Sequence, residues 1–88
     1  MQADKETVSR LIKTARGQLD GVLRMIDEDR YCLDISNQLL ATQAILRRAN
    51  KEVVSAHMHS CVMQAFEQGG NAEEKIEEII ALIDKMSK

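Results

Sequence analysis

The stretch from Leu33 to Glu67 contains neither glycine nor proline over 35 residues. Along it, side chains suited to a packed face recur at alternating spacings of four and three, the heptad periodicity of an α-helix. They are Ile35, Leu39, Thr42, Leu46, Ala49, Val53, Ala56 and Ser60. A helix of this length, in a chain of 88 residues, needs packing partners along most of its length. The pattern therefore predicts one long helix, at about residues 31–68, with other helices around it.

A shorter helix is predicted before it, at about residues 5–27. Its heptad line is Val8, Ile12, Ala15, Leu19, Val22 and Ile26. An acid-rich turn follows, in which Asp29 is a candidate N-cap for the long helix. Gly17 and Gly21 lie one turn apart in this first helix and lower its intrinsic stability. We expect them to allow the close approach of a neighbouring helix, with a nearby phosphate backbone as the open alternative.

A third helix is predicted at about residues 72–86. Gly69-Gly70 is a typical helix stop, and Asn71 followed by Glu74 is typical of a helix start. With no proline, no tryptophan, one tyrosine and one phenylalanine, the composition indicates an all-α fold. We expect a single domain over residues 1–88. Its first two helices would form an antiparallel hairpin, and two such hairpins would make a four-helix-bundle dimer.

The formal net charge of −2 conceals an uneven distribution. Basic residues cluster at the start and in the middle of the chain: Lys5, Arg10, Lys13 and Arg16, then Arg47, Arg48 and Lys51. Acids dominate from Glu67 onward. The basic residues are either an ordinary solvated face or a surface that contacts phosphates. The sequence shows no helix-turn-helix, zinc-finger or basic-zipper pattern.

The residues with the most specific chemistry are His57 and Cys61. Four positions apart on a helix, they share one face and can hold one soft metal ion. Cys32 lies 25 residues before His57, which is about 37 Å along a straight helix. One chain cannot then bring all three to one ion, whereas an antiparallel partner helix can. We therefore expect a site shared between subunits and made twice in a two-fold dimer.

Two thiolates and one imidazole suit three-coordinate Cu(I), since structural zinc nearly always takes four ligands. Zinc would need a further donor such as His59 or a carboxylate, and nickel or cobalt would favour more nitrogen and oxygen donors. His59 points away from His57 and is interpreted as a bystander. No arrangement typical of catalysis is present, so we expect no enzyme. No signal peptide or membrane span is recognisable, which favours the cytosol and no membrane partner.

Three motifs together resemble a known family. They are Arg16-Gly17-Gln18, Asp29-Arg30-Tyr31-Cys32 and His57-xxx-Cys61, and the likeness covers nearly the whole chain. The chain resembles the CsoR-type copper-sensing repressors, a branch of the metal- and thiol-responsive CsoR/RcnR repressor family. The resemblance implies a dimer of dimers whose apo form binds operator DNA ahead of copper-efflux genes and releases it on binding Cu(I).

The same resemblance implies roles for individual residues. Cys32 from one protomer, with His57 and Cys61 from the other, would bind Cu(I). Tyr31 and Glu77 would lie just outside the ligands, where Glu77 would orient the His57 ring; Glu78 is the second choice for this glutamate. Phosphate contacts are expected from Arg16 and Arg48, supported by further basic residues: Arg10, Lys13, Arg47 and Lys51.

Other branches of the family match the sequence less well. The nickel and cobalt sensors use an N-terminal histidine and a histidine in place of Cys61, and the formaldehyde-responsive type uses a proline near its N-terminus. The persulfide-responsive type lacks the histidine. Two alternatives of other classes stay open: a thiol or persulfide sensor that pairs Cys32 with Cys61, and a metal-buffering bundle with no role at DNA.

Overall fold

A computed structural model describes residues 1–68 and 72–86 and contains three helices: α1 (Lys5–Asp27), α2 (Cys32–Gln68) and α3 (Ala72–Met86). The described residues contain no strand, which confirms the all-α, three-helix expectation. The predicted stop at Gly69-Gly70 and the predicted cap at Asn71 lie outside the described residues. No described helix is both long enough and apolar enough to cross a bilayer.

The chain divides into two compact units, which we call the hairpin unit (residues 4–52) and the C-terminal unit (Met1–Ala3 with Val53–Lys88). The hairpin unit contains α1 and the first part of α2. Its buried side chains are Leu11, Ala15, Val22, Thr42 and Ala49. In the C-terminal unit, the remainder of α2 and α3 include the buried Cys61. The expectation of one domain stays a prediction.

Helix α1 is closed at both ends by local hydrogen bonds. Asp4 is its N-cap, and its carboxylate accepts from the backbone N–H of Thr7 at 3.2 Å. The bonds from the Thr7 side chain and backbone lower the pKa of Asp4. At the other end, the Arg30 backbone N–H donates to the Met25 carbonyl at 2.9 Å, and the Asp29 backbone N–H donates to the Ile26 carbonyl at 3.1 Å. These two bonds form the Schellman C-terminal motif.

Asp29 therefore has a different role from the one predicted. Its φ of 52° lies in the left-handed region, so it terminates α1 at the position where glycine is commonest. The first turn of α2 bonds instead to the carbonyl of Tyr31, which accepts from the N–H groups of Asp34 and Ile35. The expectation that Asp29 caps α2 was wrong, because its residue type suits both a helix start and a left-handed turn.

The glycines of α1 also differ from expectation. A Cβ added at Gly17 would have no neighbour within 4 Å, and one at Gly21 would meet only the end of the Arg24 side chain, at 3.8 Å. Among the described residues, no atom of a second helix lies within 4 Å of a Cβ at either glycine. The predicted close approach is therefore absent from this chain.

Candidate metal centre

His57 and Cys61 lie on successive turns of α2. The Cys61 Sγ is 3.4 Å from the His57 Nε2. Cys61 is only 8% exposed, whereas His57 is exposed. The helical i, i+4 spacing thus brings a buried sulfur and an accessible imidazole together.

Glu78 of α3 supplies a carboxylate close to His57 and Cys61. Its Oε1 lies 2.8 Å from His57 Nε2, and its Oε2 lies 3.6 Å from the Lys75 ammonium. The hydrogen bond from His57 lowers the pKa of Glu78, and the charge of Lys75 acts in the same direction, while desolvation opposes both. Glu78 is therefore held as a carboxylate that accepts from the imidazole and fixes the orientation of the ring.

The donor atoms of His57, Cys61 and Glu78 all lie within 4.8 Å of one another. A thiolate and an imidazole on one zinc ion stand about 2.3 and 2.0–2.1 Å from it, so their atoms are at most about 4.4 Å apart. The observed 3.4 Å between sulfur and nitrogen satisfies this limit. This distance is measured at Nε2, whose N–H is donated to Glu78. An ion bound beside Cys61 therefore requires that Nε2 give up this hydrogen bond or that the ring turn its Nδ1 lone pair toward the sulfur. The residues present fit a soft metal ion.

The glutamate beside His57 is Glu78 and not Glu77, which is exposed. On α3 the half-buried positions are Lys75, Glu78, Ile79 and Leu82, spaced as one helical face. Glu77 is one residue, or about 100°, off that face. The first choice of Glu77 therefore does not match the geometry, because the offset of sixteen residues from Cys61 does not identify the inward face of α3.

The other residues expected at the site lie elsewhere. Cys32 is an exposed free cysteine at the first position of α2, and Tyr31, just before it, is also exposed. Both belong to the hairpin unit. His59 is exposed on α2, and neither it nor Cys32 is among the described residues that gather around His57.

The basic residues proposed for phosphate contact are all exposed and all belong to the hairpin unit. They are Arg10, Lys13 and Arg16 on α1, and Arg47, Arg48 and Lys51 on α2. Lys5, Arg10 and Lys13 line the same open groove along α1, together with the acidic Glu6 and the polar side chains of Ser9 and Thr14. The hairpin unit thus presents cations on both of its helices.

The chain matches one known protein family over nearly its whole length. Residues 4–85 match the family described as metal-sensitive transcriptional repressors. The chain belongs to that family. Its members are transcriptional repressors and not enzymes, which agrees with the sequence-based expectation for the CsoR/RcnR group.

Two curated relatives illustrate the similarity. The copper-sensing transcriptional repressor CsoR of Mycobacterium tuberculosis (strain ATCC 25618 / H37Rv) is 38% identical over 80 residues. These residues are 91% of this chain, and the chain spans 66% of that relative's length. The copper-sensing transcriptional repressor CsoR of Bacillus subtilis (strain 168) is 32% identical over 85 residues, covering 97% of this chain and 83% of that protein.

Two solved structures share the fold. The copper-sensing repressor CsoR with Cu(I) from Geobacillus thermodenitrificans NG80-2 superimposes with a TM-score of 0.84 and 31% identity, covering 100% of this chain and 94% of the other. The nickel-responsive transcriptional regulator InrS also gives a TM-score of 0.84, with 24% identity, covering 98% and 96%. The second likeness is one of fold alone.

Proposed function

We propose that this protein is a Cu(I)-responsive repressor that binds operator DNA without metal and releases it when Cu(I) binds. The observation that carries the proposal is the His57–Cys61 pair, 3.4 Å apart on a helix that runs unbroken from Cys32 to Gln68. Membership of a metal-sensitive repressor family and the copper-sensing relatives support it. Such a repressor acts in the cytosol, where its cysteines stay reduced.

The third ligand in this proposal is Cys32 of a second chain. Twenty-five residues of helix span about 37 Å, far beyond the reach of one ion's coordination sphere. An antiparallel partner brings the first turn of its α2 to the His57 region of this one. Its exposed cysteine then completes a set of two thiolates and one imidazole, the soft donors that Cu(I) accepts.

Exposed apolar side chains support assembly into dimers and tetramers. On α1 they include Ile12, Leu19, Leu23 and Ile26; on α2 they include Leu33, Leu39, Leu40 and Leu46. Among the described residues, no large side chain is fully buried by this chain alone. A second copy that covers these side chains supplies the apolar burial that so small a domain lacks.

The DNA part of the proposal rests on the exposed cations of the hairpin unit. Arg16 and Arg48 would contact phosphates, with Arg10, Lys13, Arg47 and Lys51 in support. By thermodynamic linkage, the factor by which Cu(I) lowers the affinity for operator DNA equals the factor by which operator DNA lowers the affinity for Cu(I). Such a coupling free energy is typically 1–3 kcal/mol. Glu78, held against the His57 ring, and Tyr31, next to Cys32, are proposed to transmit this coupling; Glu77 is the weaker alternative.

Mixed dimers test the shared site directly. A Cys32→Ala chain paired with a Cys61→Ala chain keeps one complete ligand set if the site spans subunits, and none if it lies within a chain. Differently tagged chains allow the mixed species to be purified and titrated with Cu(I) against a chelator. We expect one tight Cu(I) per mixed dimer and none in either parent; no tight Cu(I) in the mixed dimer refutes the arrangement.

The reciprocal control uses a chain with both cysteines replaced. Paired with a wild-type chain, it leaves neither shared site intact, so tight Cu(I) binding should vanish. A site within one chain would instead retain one ion. X-ray absorption of the loaded wild-type protein should report two sulfurs and one imidazole, and a mobility-shift assay should show Cu(I)-dependent release of operator DNA.

The Glu78 carboxylate favours a second candidate, a zinc or nickel sensor. Its oxygen lies within the same group as His57 and Cys61, so one chain offers nitrogen, sulfur and oxygen donors together, a mixed set closer to what zinc or nickel takes. An oxygen donor in the absorption spectrum, with DNA release by Zn²⁺ or Ni²⁺ but not Cu(I), would establish it. A disulfide between chains and release by oxidant alone would establish a thiol sensor.

A further inference from the structure

Thr42 is the one buried polar side chain among the described residues, at 2% exposure. It lies on α2 within the hairpin unit, and its Oγ1 donates to the Oε1 of Gln18 on α1 at 2.8 Å. It also lies 3.1 Å from the carbonyl oxygen of Gln38, one turn earlier. No other side-chain hydrogen bond joins α1 to α2 within the described residues.

One hydroxyl hydrogen faces two acceptors here. If the Gln18 side-chain amide is flipped, so that its oxygen and nitrogen exchange places, both acceptors and donors around Thr42 are paired. The Gln18 N–H then donates to Thr42 Oγ1, and the Thr42 hydroxyl donates to the Gln38 carbonyl. In either arrangement, a side chain of α1 is tied by a directional bond to one position on α2.

The apolar contacts around this bond are less directional. The other buried residues of the hairpin unit include Ala15 and Ala49, small side chains that tolerate rotation and sliding of one helix on the other. The Thr42 hydroxyl keeps the Gln38 carbonyl of its own helix in any orientation, so a rotation of α1 against α2 costs the bond to Gln18. One mutual orientation of the two helices is therefore favoured. A buried polar residue that specifies register is the best-attested use of such groups.

The bond also fixes where the proposed phosphate contacts point. Arg16 is two residues before Gln18 on α1, about 200° around the helix, so Gln18 facing α2 turns Arg16 outward. Arg48 is six residues after Thr42, about 240° around α2 from it. All four residues belong to the hairpin unit.

We propose that Thr42 and Gln18 are positioning residues for DNA binding: their buried hydrogen bond sets the rotation of α1 against α2 and thereby the spacing of Arg16 and Arg48. This rests on the proposed operator binding. The bond is between two helices of the hairpin unit and lies outside the metal centre, so its loss weakens operator binding and leaves Cu(I) binding unchanged.

The decisive variant is Thr42→Val, which keeps the shape and removes the hydroxyl. We expect operator affinity to fall about tenfold, with a shallower salt dependence because fewer phosphates are contacted together. Thr42→Ser, which keeps the hydroxyl, should restore most of both. Ser36→Ala is the matched control, since it removes an exposed hydroxyl from α2 in the same unit and leaves the bond between Thr42 and Gln18 intact.

A purely structural role makes a different prediction. Val22→Ala removes buried apolar contact from the same unit and lowers stability without touching the bond. If Thr42→Val and Val22→Ala affect operator affinity and salt slope equally at matched loss of stability, the positioning role is refuted. If Thr42→Val reduces helix content, Gln18→Met carries the test, because Thr42 then keeps its bond to Gln38.

The outcomes separate this inference from the proposed function. Wild-type protein that fails to bind any operator fragment refutes the repressor proposal, and this inference with it. Wild-type binding that Thr42→Val and Gln18→Met leave intact, in both affinity and salt slope, refutes only the positioning role. Unchanged Cu(I) stoichiometry in both variants is required throughout.

Discussion

The two units of the chain differ in charge and in chemistry. The hairpin unit contains nine lysines and arginines against eight acids, whereas the C-terminal unit contains three lysines against six acids. The first contains every residue proposed to contact phosphate; the second contains His57, Cys61 and Glu78. Binding of DNA and of metal are thus assigned to different parts of one small chain.

Cys32 is the one proposed metal ligand that does not belong to the C-terminal unit. It begins α2 within the hairpin unit, while the two ligands it is proposed to join lie in the C-terminal unit. An ion held by all three would tie the hairpin unit of one chain to the C-terminal unit of another. In the proposed function, occupancy of the metal site would act on the basic surfaces through this link.

Cys61→Ala should have the largest effect and should separate the two units most clearly. Removing a buried thiolate ligand is expected to weaken Cu(I) binding by at least roughly a hundredfold, more than loss of an outer partner costs. Operator binding, assigned to the hairpin unit, should stay within about twofold of wild type. Competition with a Cu(I) chelator and a mobility-shift assay measure the two; Ser60→Ala, on the preceding residue, is the control. DNA release by Cu(I) in Cys61→Ala would contradict the assignment.

Glu78→Ala and Glu77→Ala form a matched pair on one helix. Because Glu78 bonds to His57 and Glu77 does not, Glu78→Ala should lower Cu(I) affinity about tenfold and reduce the coupling to DNA. Glu77→Ala should behave as wild type in both titrations. An effect of Glu77→Ala alone would return the role to Glu77, and equal effects of the two substitutions would show that the contact with His57 does not determine it.

The sequence predicted the metal pair better than its glutamate, for a physical reason. His57 and Cys61 are on one helix, where spacing alone determines that they meet. Glu78 reaches them from another helix, so its identity depends on which face of α3 packs inward. The isoleucines at 76, 79, 80 and 83 are compatible with more than one face. The half-buried stripe through Lys75, Glu78, Ile79 and Leu82 becomes visible only after folding.

In the hairpin unit, too, the sequence did not predict which residues far apart in the chain come into contact. The heptad line predicted an apolar seam, and Ala15 and Val22 are buried on it, but Ile12, Leu19 and Ile26 are exposed in the single chain. Thr42 fell on the predicted seam of α2, yet nothing in the sequence identified Gln18 as its partner, 24 residues away. Periodicity identifies the helices; it does not identify which polar side chains meet between them.

Arg16→Ala and Arg48→Ala test the hairpin unit in isolation. Each should weaken operator binding about tenfold, similarly across DNA sequences, and reduce the salt slope by about one. Cu(I) affinity of the free protein should not change, since the ligands lie outside this surface. Arg30→Ala is the control, because it removes a positive charge from the same unit at a residue that is not among the proposed phosphate contacts. The Arg30 Nη1 lies 3.7 Å from the Glu28 Oε2. If neither Arg16→Ala nor Arg48→Ala changed operator affinity, the phosphate-contact surface would have to be placed elsewhere.

The smallest effect is expected at the turn that closes the hairpin. Asp29 adopts a φ of 52°, a conformation that costs a residue with a Cβ and that glycine adopts freely. Asp29→Gly should raise the free energy of unfolding by roughly 0.5 kcal/mol, after the greater freedom of glycine in the unfolded chain is subtracted. Asp20→Gly, inside α1, should lower it by a similar amount because glycine weakens a helix interior. Urea denaturation at one protein concentration measures both, since assembly makes stability concentration-dependent. A loss of stability in Asp29→Gly would mean that the aspartate side chain contributes more to the turn than its backbone conformation costs.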